Sequence, residues 1–439
     1  MRGGRAEAEG PAGGGTGEQV RDLLRRCCVH GCEGGAHACD RADTPVYPET
    51  THPGEIASRG PLAPPVQAAL QMITGEPAVP AHRVRLLVDG AQAFGAMFGL
   101  LEGAEREILV ENFIFRGDVV GAAFAEALEA RAESGVDTRV LLDPFGSLMS
   151  RSVPVSLRFR HSRVRARLYN PPRPTAAFLR RGRDHRKLIV QDRRRMVVGG
   201  LCLADAWAGN CVRTCTWRDS AVEVEGPVVT RAAAGFDAAW AGDPRLPFPS
   251  GRSPGTEAGS VPVRLVSDAP RERRVERLLA TAFAAAEWEI LITNPYLVPT
   301  PALASSLVAA TRRGVDVQIV VPARNNHPVV GWTSEHLSGP LLEAGARVWR
   351  WAGPMMHAKT VVVDRCWSLV GSSNLDPLSL VHNAELNVEI HGTGFAEQAA
   401  DLFARDRAGS VELTGSQWQG RSVRRRFTTR MAAVLRAWQ

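Results

Sequence analysis

The sequence predicts an α/β fold made of two copies of one domain, each with a mixed sheet, and three observations carry that prediction. First, one short pattern occurs twice: His185-Arg186-Lys187, four residues and Asp192, then His357-Ala358-Lys359, four residues and Asp364. After six further residues each copy reaches a turn of small residues, Gly199-Gly200 in one and Gly371-Ser372-Ser373-Asn374 in the other. Second, the surrounding text repeats. Residues 104–115 (AEREILVENFIF) align with 286–297 (AEWEILITNPYL), and 127–144 (ALEARAESGVDTRVLLDP) with 306–323 (SLVAATRRGVDVQIVVPA). Third, apolar runs of strand length alternate with helical stretches inside each copy, the pattern of α/β architecture.

The chain divides accordingly. Residues 1–80 read as a flexible N-terminal segment, because 1–16 are mostly Gly, Ala, Glu and Arg and 41–66 are rich in Pro, Thr and Ser. Between those stretches Cys27, Cys28, His30, Cys32, His37 and Cys39 crowd together. Cys28 and Cys32 with His37 and Cys39 could be forced into a zinc site; the plainer reading is a short, reduced tail. The scattered Cys202, Cys211, Cys215 and Cys366 suit a reducing compartment. The first repeat occupies 81–245, a Pro/Gly/Ser-rich connection 246–260, and the second repeat with a basic C-terminal helix 261–439. In each repeat a helix is stopped at a Gly-Val-Asp turn, Gly135 or Gly314, ahead of an apolar strand.

Composition bounds the function. The 439 residues are 44% hydrophobic and 23% charged, a globular balance, and the net charge of +7 favours a polyanionic partner such as nucleic acid or an anionic membrane surface. No run approaches the roughly 18 apolar residues of a spanning helix, and no apolar signal segment is visible near the start. The expectation is a cytoplasmic or peripheral protein. Of the 53 basic side chains only two are lysines, Lys187 and Lys359, one in each copy of the pattern. The ammonium is a compact point charge and the guanidinium a wide fork, so that usage points to chemistry.

Leu188-Ile189-Val190 and Val361-Val362-Val363 read as buried strands. On extended backbone residues i and i+2 share a face, so His185 projects with Lys187 and His357 with Lys359. Residues seven apart fall on opposite parity, which sends Asp192 and Asp364 to a structural role off that face. One copy supplies an imidazole and a cation. Two facing copies supply a nucleophile, an acid/base and two fixed charges for the oxygens of a phosphodiester, which is what double displacement at phosphorus requires. The glycine-rich turns would let backbone N–H groups and small hydroxyls approach the phosphate.

These residues make the chain resemble the phospholipase D superfamily, whose signature H-x-K-x(4)-D-x(6)-G-[GS]-x-N is used twice, and more narrowly the bacterial cardiolipin synthases. Supporting text runs through Glu111-Asn112, Arg183-Asp184-His185, Asn294-Pro295-Tyr296, Val298-Pro299, Gly371 to Asp376 and Asn383-Ala384-Glu385. The resemblance implies two α/β/α sandwich domains about a pseudo-twofold axis, with the active site at their interface. It also implies a phosphohistidine intermediate and no metal or other cofactor. His185, Lys187, Asp192, His357, Lys359 and Asp364 are then the catalytic signature. His185 would be the nucleophile and His357 the general acid, although a near-symmetric site allows the reverse. A carboxylate about thirty residues beyond each histidine, Asp219 and Glu385, would hold its tautomer. Lys187, Lys359, Asn374, Ser372 and Gly200 would surround the phosphate.

Two departures stand out. The first motif ends Gly199-Gly200-Leu201-Cys202, with cysteine where the signature has asparagine; a thiol is a poor donor, so one phosphate contact is weakened. No spanning helix is apparent, so lipid would be reached from the surface. Residues 421–439 interleave Arg421, Arg424, Arg425, Arg426, Arg430 and Arg436 with Phe427, Met431, Val434, Leu435 and Trp438. That stretch is either an interfacial helix for anionic lipid or a helix packed on the second repeat. The expected function is phosphatidyl transfer forming cardiolipin from phosphatidylglycerol, at the inner face of the cell membrane. The alternatives are a hydrolytic phospholipase D, a phosphodiesterase or nuclease (nucleic acid being the less favoured partner), or a silent binding protein.

Overall fold

The computed structural model describes residues 59–148, 155–170, 182–208, 217–242 and 261–434. The N-terminal Cys/His cluster, Cys211 and Cys215, and the 246–260 connection lie outside them.

The described chain opens with helix α1 (Pro64–Thr74) and strand β1 (Val79–Ala81). The first repeat then forms seven strands: β2 (Arg83–Val88), β3 (Glu107–Asn112), β4 (Asp137–Leu142), β5 (Arg165–Leu168), β6 (Leu188–Gln191), β7 (Arg195–Gly199) and β8 (Ser220–Glu225). They line up in the order β2-β8-β7-β6-β3-β4-β5. The second repeat contributes β9 (Val261–Asp268), β10 (Glu289–Thr293), β11 (Asp316–Pro322), β12 (Arg347–Trp351), β13 (Thr360–Val363), β14 (Trp367–Gly371) and β15 (Glu385–His391). Their order, β9-β15-β14-β13-β10-β11-β12, is the same strand for strand. In both sheets the segment through the two helix-linked strands is parallel (β3 with β4, β10 with β11) and the motif strands β6 and β13 run antiparallel to their neighbours. The sheets are mixed, as expected.

Helices cover both faces. In the first repeat α2 (Asp89–Glu102) and α3 (Val119–Glu133) pack on the outer side, and α4 (Val228–Ala241) on the inner. In the second, α5 (Arg274–Ala285), α6 (Pro301–Arg312) and α7 (Pro328–Ala344) lie outside and α8 (Thr393–Ala408) inside. The motif strands show why the repeats join. Ile189 enters the outer core of the first repeat while Leu188 and Val190 enter a central core. Likewise Val361 and Val363 face the outer core of the second repeat and Val362 the central one. Alternation with apolar residues on both faces means both faces must be covered. The central core, with α4, α8 and residues of both sheets, covers the inner pair. The Gly-Val-Asp turns behave as read: Gly135 (φ 95°) and Gly314 (φ 93°) take the left-handed backbone that ends a helix.

The reading of residues 1–80 as flexible is corrected for its last part. α1 starts at Pro64 and Pro65 and ends at Gly75 in left-handed conformation, and it buries Leu70 in the outer core of the second repeat, with Val66 and Ile73 against it. β1 pairs antiparallel with β9, Val79 opposite Val263. Residues 59–81 therefore extend the second repeat's sheet before the chain crosses to the first. The apolar spacing Val66, Leu70, Ile73 carried that signal, within a stretch dominated by proline. The second sheet gains a ninth strand at its other edge, β16 (Ser410–Leu413), beside β12.

Candidate active site

Each motif enters its strand through an extended lead-in, and each lead-in is hydrogen-bonded to the opposite repeat. Ala384 N–H donates to Arg183 O (2.8 Å) and His185 N–H to Ala384 O (2.9 Å); Arg218 N–H donates to Met355 O (2.8 Å) and His357 N–H to Arg218 O (2.7 Å). Both bridges are parallel and related by the repeat. The residues after Ala384 and Arg218 are Glu385 and Asp219. The bridges therefore carry each carboxylate to the histidine of the other repeat. His185 Nδ1 lies 3.0 and 3.1 Å from the Glu385 oxygens, and His357 Nδ1 lies 2.7 Å from Asp219 Oδ2. This crossed pairing corrects the expectation that each histidine uses the carboxylate following it in its own repeat. Spacing along the chain measures sequence distance, and the domain interface decides proximity.

The four motif side chains gather where the bridges meet. The strands begin at Leu188 and Thr360, one residue after each lysine, so the His-x-Lys triplets precede the strands that were expected to hold them. Both triplets are extended all the same. Lys187 Nζ donates to His185 O (2.6 Å). Lys359 Nζ donates to His357 O and lies 2.8 Å from His357 Nδ1. All four side chains are nearly buried. Burial, and Lys359 beside it, push the His357 imidazole down to about 3; burial is also the main cause lowering His185, against the opposing pull of Glu385. Burial brings the Lys359 ammonium down to about 8. Burial would raise the Asp219 carboxyl, but Lys359 and His357 outweigh it and hold it below the usual range. These surroundings favour the neutral form of both imidazoles. Each turns its Nδ1 to a carboxylate and its Nε2 away from it, with Lys359 Nζ 3.1 Å from the Nε2 of His357.

Asp192 and Asp364 stand away from this cluster, at the far ends of β6 and β13. As residues of the catalytic signature they are corrected; they hold the structural place off the reactive face that their opposite parity gives them. Asp192 and Arg193, like Asp364 and Arg365, take φ of 47–56°, the paired positive φ of a tight hairpin turn. The Asp192 carboxylate accepts from the backbone N–H of Glu105, Arg106 and Glu107, and Asp364 from those of Glu287, Trp288 and Glu289. Each aspartate pins its hairpin to the start of the adjacent central strand, β3 or β10.

Gly200 and Ser372 are corrected as well. The Gly200 N–H donates to Ser220 O (3.1 Å), and a Cβ there would meet Asp219 Oδ1 at 2.2 Å. Glycine is required so that the carboxylate can lie against the turn. Ser372 Oγ donates to Glu385 Oε2 and accepts from Leu386 N–H, and its own N–H donates to Leu386 O. These two residues seat the carboxylates and turn no free donor toward a phosphate. Asn374 is buried, and its Oδ1 takes no hydrogen bond among the described residues. Cys202 is buried in the outer core of the first repeat, and that burial pushes its thiol up against the opposing pull of Lys187 and Lys359.

The sequence reading missed the aromatic walls. Trp207 Nε1 donates to Asp219 Oδ2 (3.0 Å), the service Ser372 gives Glu385 in the other half. Trp207, Trp217 and Tyr296 rings stand 5.5, 5.2 and 6.5 Å from the His357 ring, and Phe113 stands edge-on to His185 at 5.0 Å. Tyr296 stands in the Asn294-Pro295-Tyr296 stretch of the motif text and Trp217 two residues before Asp219, while Trp207, outside any motif, gave no signal. Arg218 was also unassigned. It ion-pairs with Asp406 of α8 (2.9 Å) and Asp89 of α2 (3.2 Å), tying the repeats together beside the site. Among the described residues no group of three or more His, Cys, Asp or Glu is set to hold a metal ion.

Two sandwich domains with paired His/Lys motifs at a pseudo-twofold interface define a phospholipase D-like protein. The family model described as the PLD-like domain of cardiolipin synthase matches residues 279–407. Cardiolipin synthase A of Pseudomonas aeruginosa is 32% identical over 81% of this chain and 73% of its own length; cardiolipin synthase 2 of Staphylococcus epidermidis is 28% identical over 80% and 73%. The phosphatidylserine synthase structure from Haemophilus influenzae covers 85% of this chain and 97% of its own, with a TM-score of 0.65 at 14% identity, a likeness of fold. The chain belongs to the cardiolipin synthase family of phospholipase D-like enzymes.

Proposed function

We propose that this protein is a phosphatidyltransferase that makes cardiolipin from two molecules of phosphatidylglycerol. The observation that carries the reading is the crossed pair of carboxylate-held histidines with a lysine beside each. With Nδ1 held by Glu385, His185 Nε2 attacks phosphorus. The bond from phosphorus to the glycerol oxygen breaks, and His357 delivers a proton to that oxygen so that glycerol departs. His357 takes that proton up only when the phosphodiester is bound, since its anionic charge offsets the burial and the Lys359 charge that depress the imidazole. The phosphatidyl group then sits on His185 Nε2. His357, now neutral, accepts the hydroxyl proton of the second phosphatidylglycerol, whose oxygen displaces the histidine. Lys187, Lys359 and Asn374 balance the non-bridging oxygens. The aromatic walls keep bulk water from the intermediate, which favours an alcohol as acceptor.

The substrates are lipids, so the site must meet a membrane surface. Among the described residues no helix is long and apolar enough to cross one. Helix α9 (Val423–Val434) supports peripheral contact. It seats Thr429 and Ala432 inward, while Val423, Phe427 and Val434 are 82%, 65% and 65% exposed, with Met431 beside them. These four fall on one stripe opposite the packed face, flanked by exposed Arg424, Arg426 and Arg430. An apolar stripe with an arginine rim suits an anionic bilayer surface at the inner face of the membrane. Of the two sequence readings of this segment, the packed one describes the inward face of the helix, and the exposed stripe on the opposite face supports the interfacial one.

The test is turnover of phosphatidylglycerol vesicles in EDTA by the protein and its His185→Ala and His357→Ala variants. Cardiolipin and glycerol formed by the parent and lost in both variants is the expected outcome. Phosphatidic acid in place of cardiolipin would make water the acceptor and the enzyme a hydrolase.

A further inference from the structure

Away from the motif histidines a cleft of about 240 Å³ opens between α7 and the strands β11, β12 and β16. Its floor is apolar, with Val321, Val348 and Leu413, and Trp332 stands on its α7 wall. Three guanidinium groups line it: Arg324 from the loop after β11, Arg350 from β12 and Arg425 from α9. Arg350 shares the face of Val348 two residues earlier, so the strand's pleat turns it into the cleft. Its neighbours Trp349 and Trp351 pack toward the central core. The acidic group in the lining, Glu335, is already engaged by Arg425 and Arg421. Arg324 and Arg350 have no ion-pair partner among the described residues, and Arg350 is half-buried. Arg350 is a partly desolvated cation without a counter-charge, which is costly until an anion enters, and Arg324 stands exposed at the rim beside it. Guanidinium forks match phosphate oxygens in geometry as well as charge.

We propose that this cleft is a second phospholipid site, separate from the catalytic centre, in which Arg324 and Arg350 hold the phosphate of an anionic phospholipid headgroup and the apolar floor takes the root of its chains. The proposal rests on the lipid reading of the active site and adds a partner to it. The cleft adjoins the catalytic region through one loop. Asn325 Nδ2 donates to Pro295 O (2.9 Å), and the next residue, Tyr296, presents its ring to His357. Its α9 wall belongs to the helix with the exposed apolar stripe. A lipid held here would keep the enzyme on an anionic surface while substrates exchange at the histidines.

The experiment uses full-length protein and monomeric dihexanoyl phosphatidylglycerol. Calorimetric titration in a His185→Ala background is compared with and without Arg324→Gln and Arg350→Gln, and turnover of the same lipid is measured with both histidines present. Loss of one binding event, tenfold or more in affinity, with monomer turnover within twofold of the parent, is expected. Arg324→Lys with Arg350→Lys, which keeps the charge and loses the forks, is expected to show most of that loss. Unchanged binding would overturn the proposal. So would turnover falling in step with binding, since the cleft would then be part of the catalytic substrate site. Glycerol phosphate binding as tightly as the lipid would make it a soluble-phosphate site and also overturn it. If the parent does not turn over phosphatidylglycerol at all, the proposed function fails, while the titration still decides the cleft.

Discussion

Two lysines in a chain of 53 basic residues marked the site, and the structure gives them unequal surroundings. Burial brings Lys359 down to about 8. Its ammonium is present below that value and lost as pH rises through it, so kcat/KM is expected to fall on an alkaline limb near pH 8 as phosphate binding weakens. A flat profile from pH 7 to 9 would show that Lys359 stays charged. Trp207 acts through Asp219 and is a positioning residue. Trp207→Phe keeps the ring and removes the donor, leaving Asp219 a stronger base toward His357. The expected result is a drop in kcat of about tenfold with little change in KM, within the range of one hydrogen bond to a charged group. The acid limb of kcat should move to higher pH. A merely structural tryptophan would leave that limb where it is.

At the scale of elements, the invariable step from His to Lys to Asp in the two motifs joins two separate tasks. The extended triplet delivers the reactive side chains, and the four-residue strand then ends in a tight turn whose aspartate captures three backbone N–H groups. Asp364→Ala removes that acceptor from Glu287, Trp288 and Glu289 and sets alanine at positive φ. A loss of about 2–4 kcal/mol in stability is expected, read as a lower thermal midpoint, with turnover per folded molecule nearly intact. Loss of turnover without loss of stability would return the aspartate to the catalytic group. The same scale explains the misreading of α1 and β1. Their prolines stand at the helix start and on an edge strand, positions that tolerate proline, so composition alone looked like a linker.

For the whole molecule, each half of the chemistry needs both repeats. His185 takes its carboxylate from the second repeat and His357 takes its own from the first. Arg218 carries one of the two bridges and pairs with Asp406 of the second repeat. Removing it leaves a buried carboxylate without its counter-charge. Arg218→Met is expected to cost roughly 3–5 kcal/mol in stability and to lower turnover with it, because the His357 lead-in is anchored on the same residue. Circular dichroism melts beside activity would detect the coupled loss; an active variant of unchanged midpoint would show that the interface holds without this ion pair.

The sequence by itself determined the repeat, the mixed sheets and the four reactive side chains, because period-2 apolar runs, glycine-stopped helices and duplicated motifs are local or self-referential signals. It also contained both carboxylates. Their assignment was decided only by tertiary structure: the two parallel bridges at Ala384 and Arg218 exchange partners across an interface that no single repeat specifies. Packing within each repeat decided that Gly200 and Ser372 seat carboxylates and that Trp207 reaches Asp219. Packing on α7 decided which face of α9 stays free. The crossed pairs join residues far apart along the chain, and their energy depends on burial that exists only once both repeats have folded together.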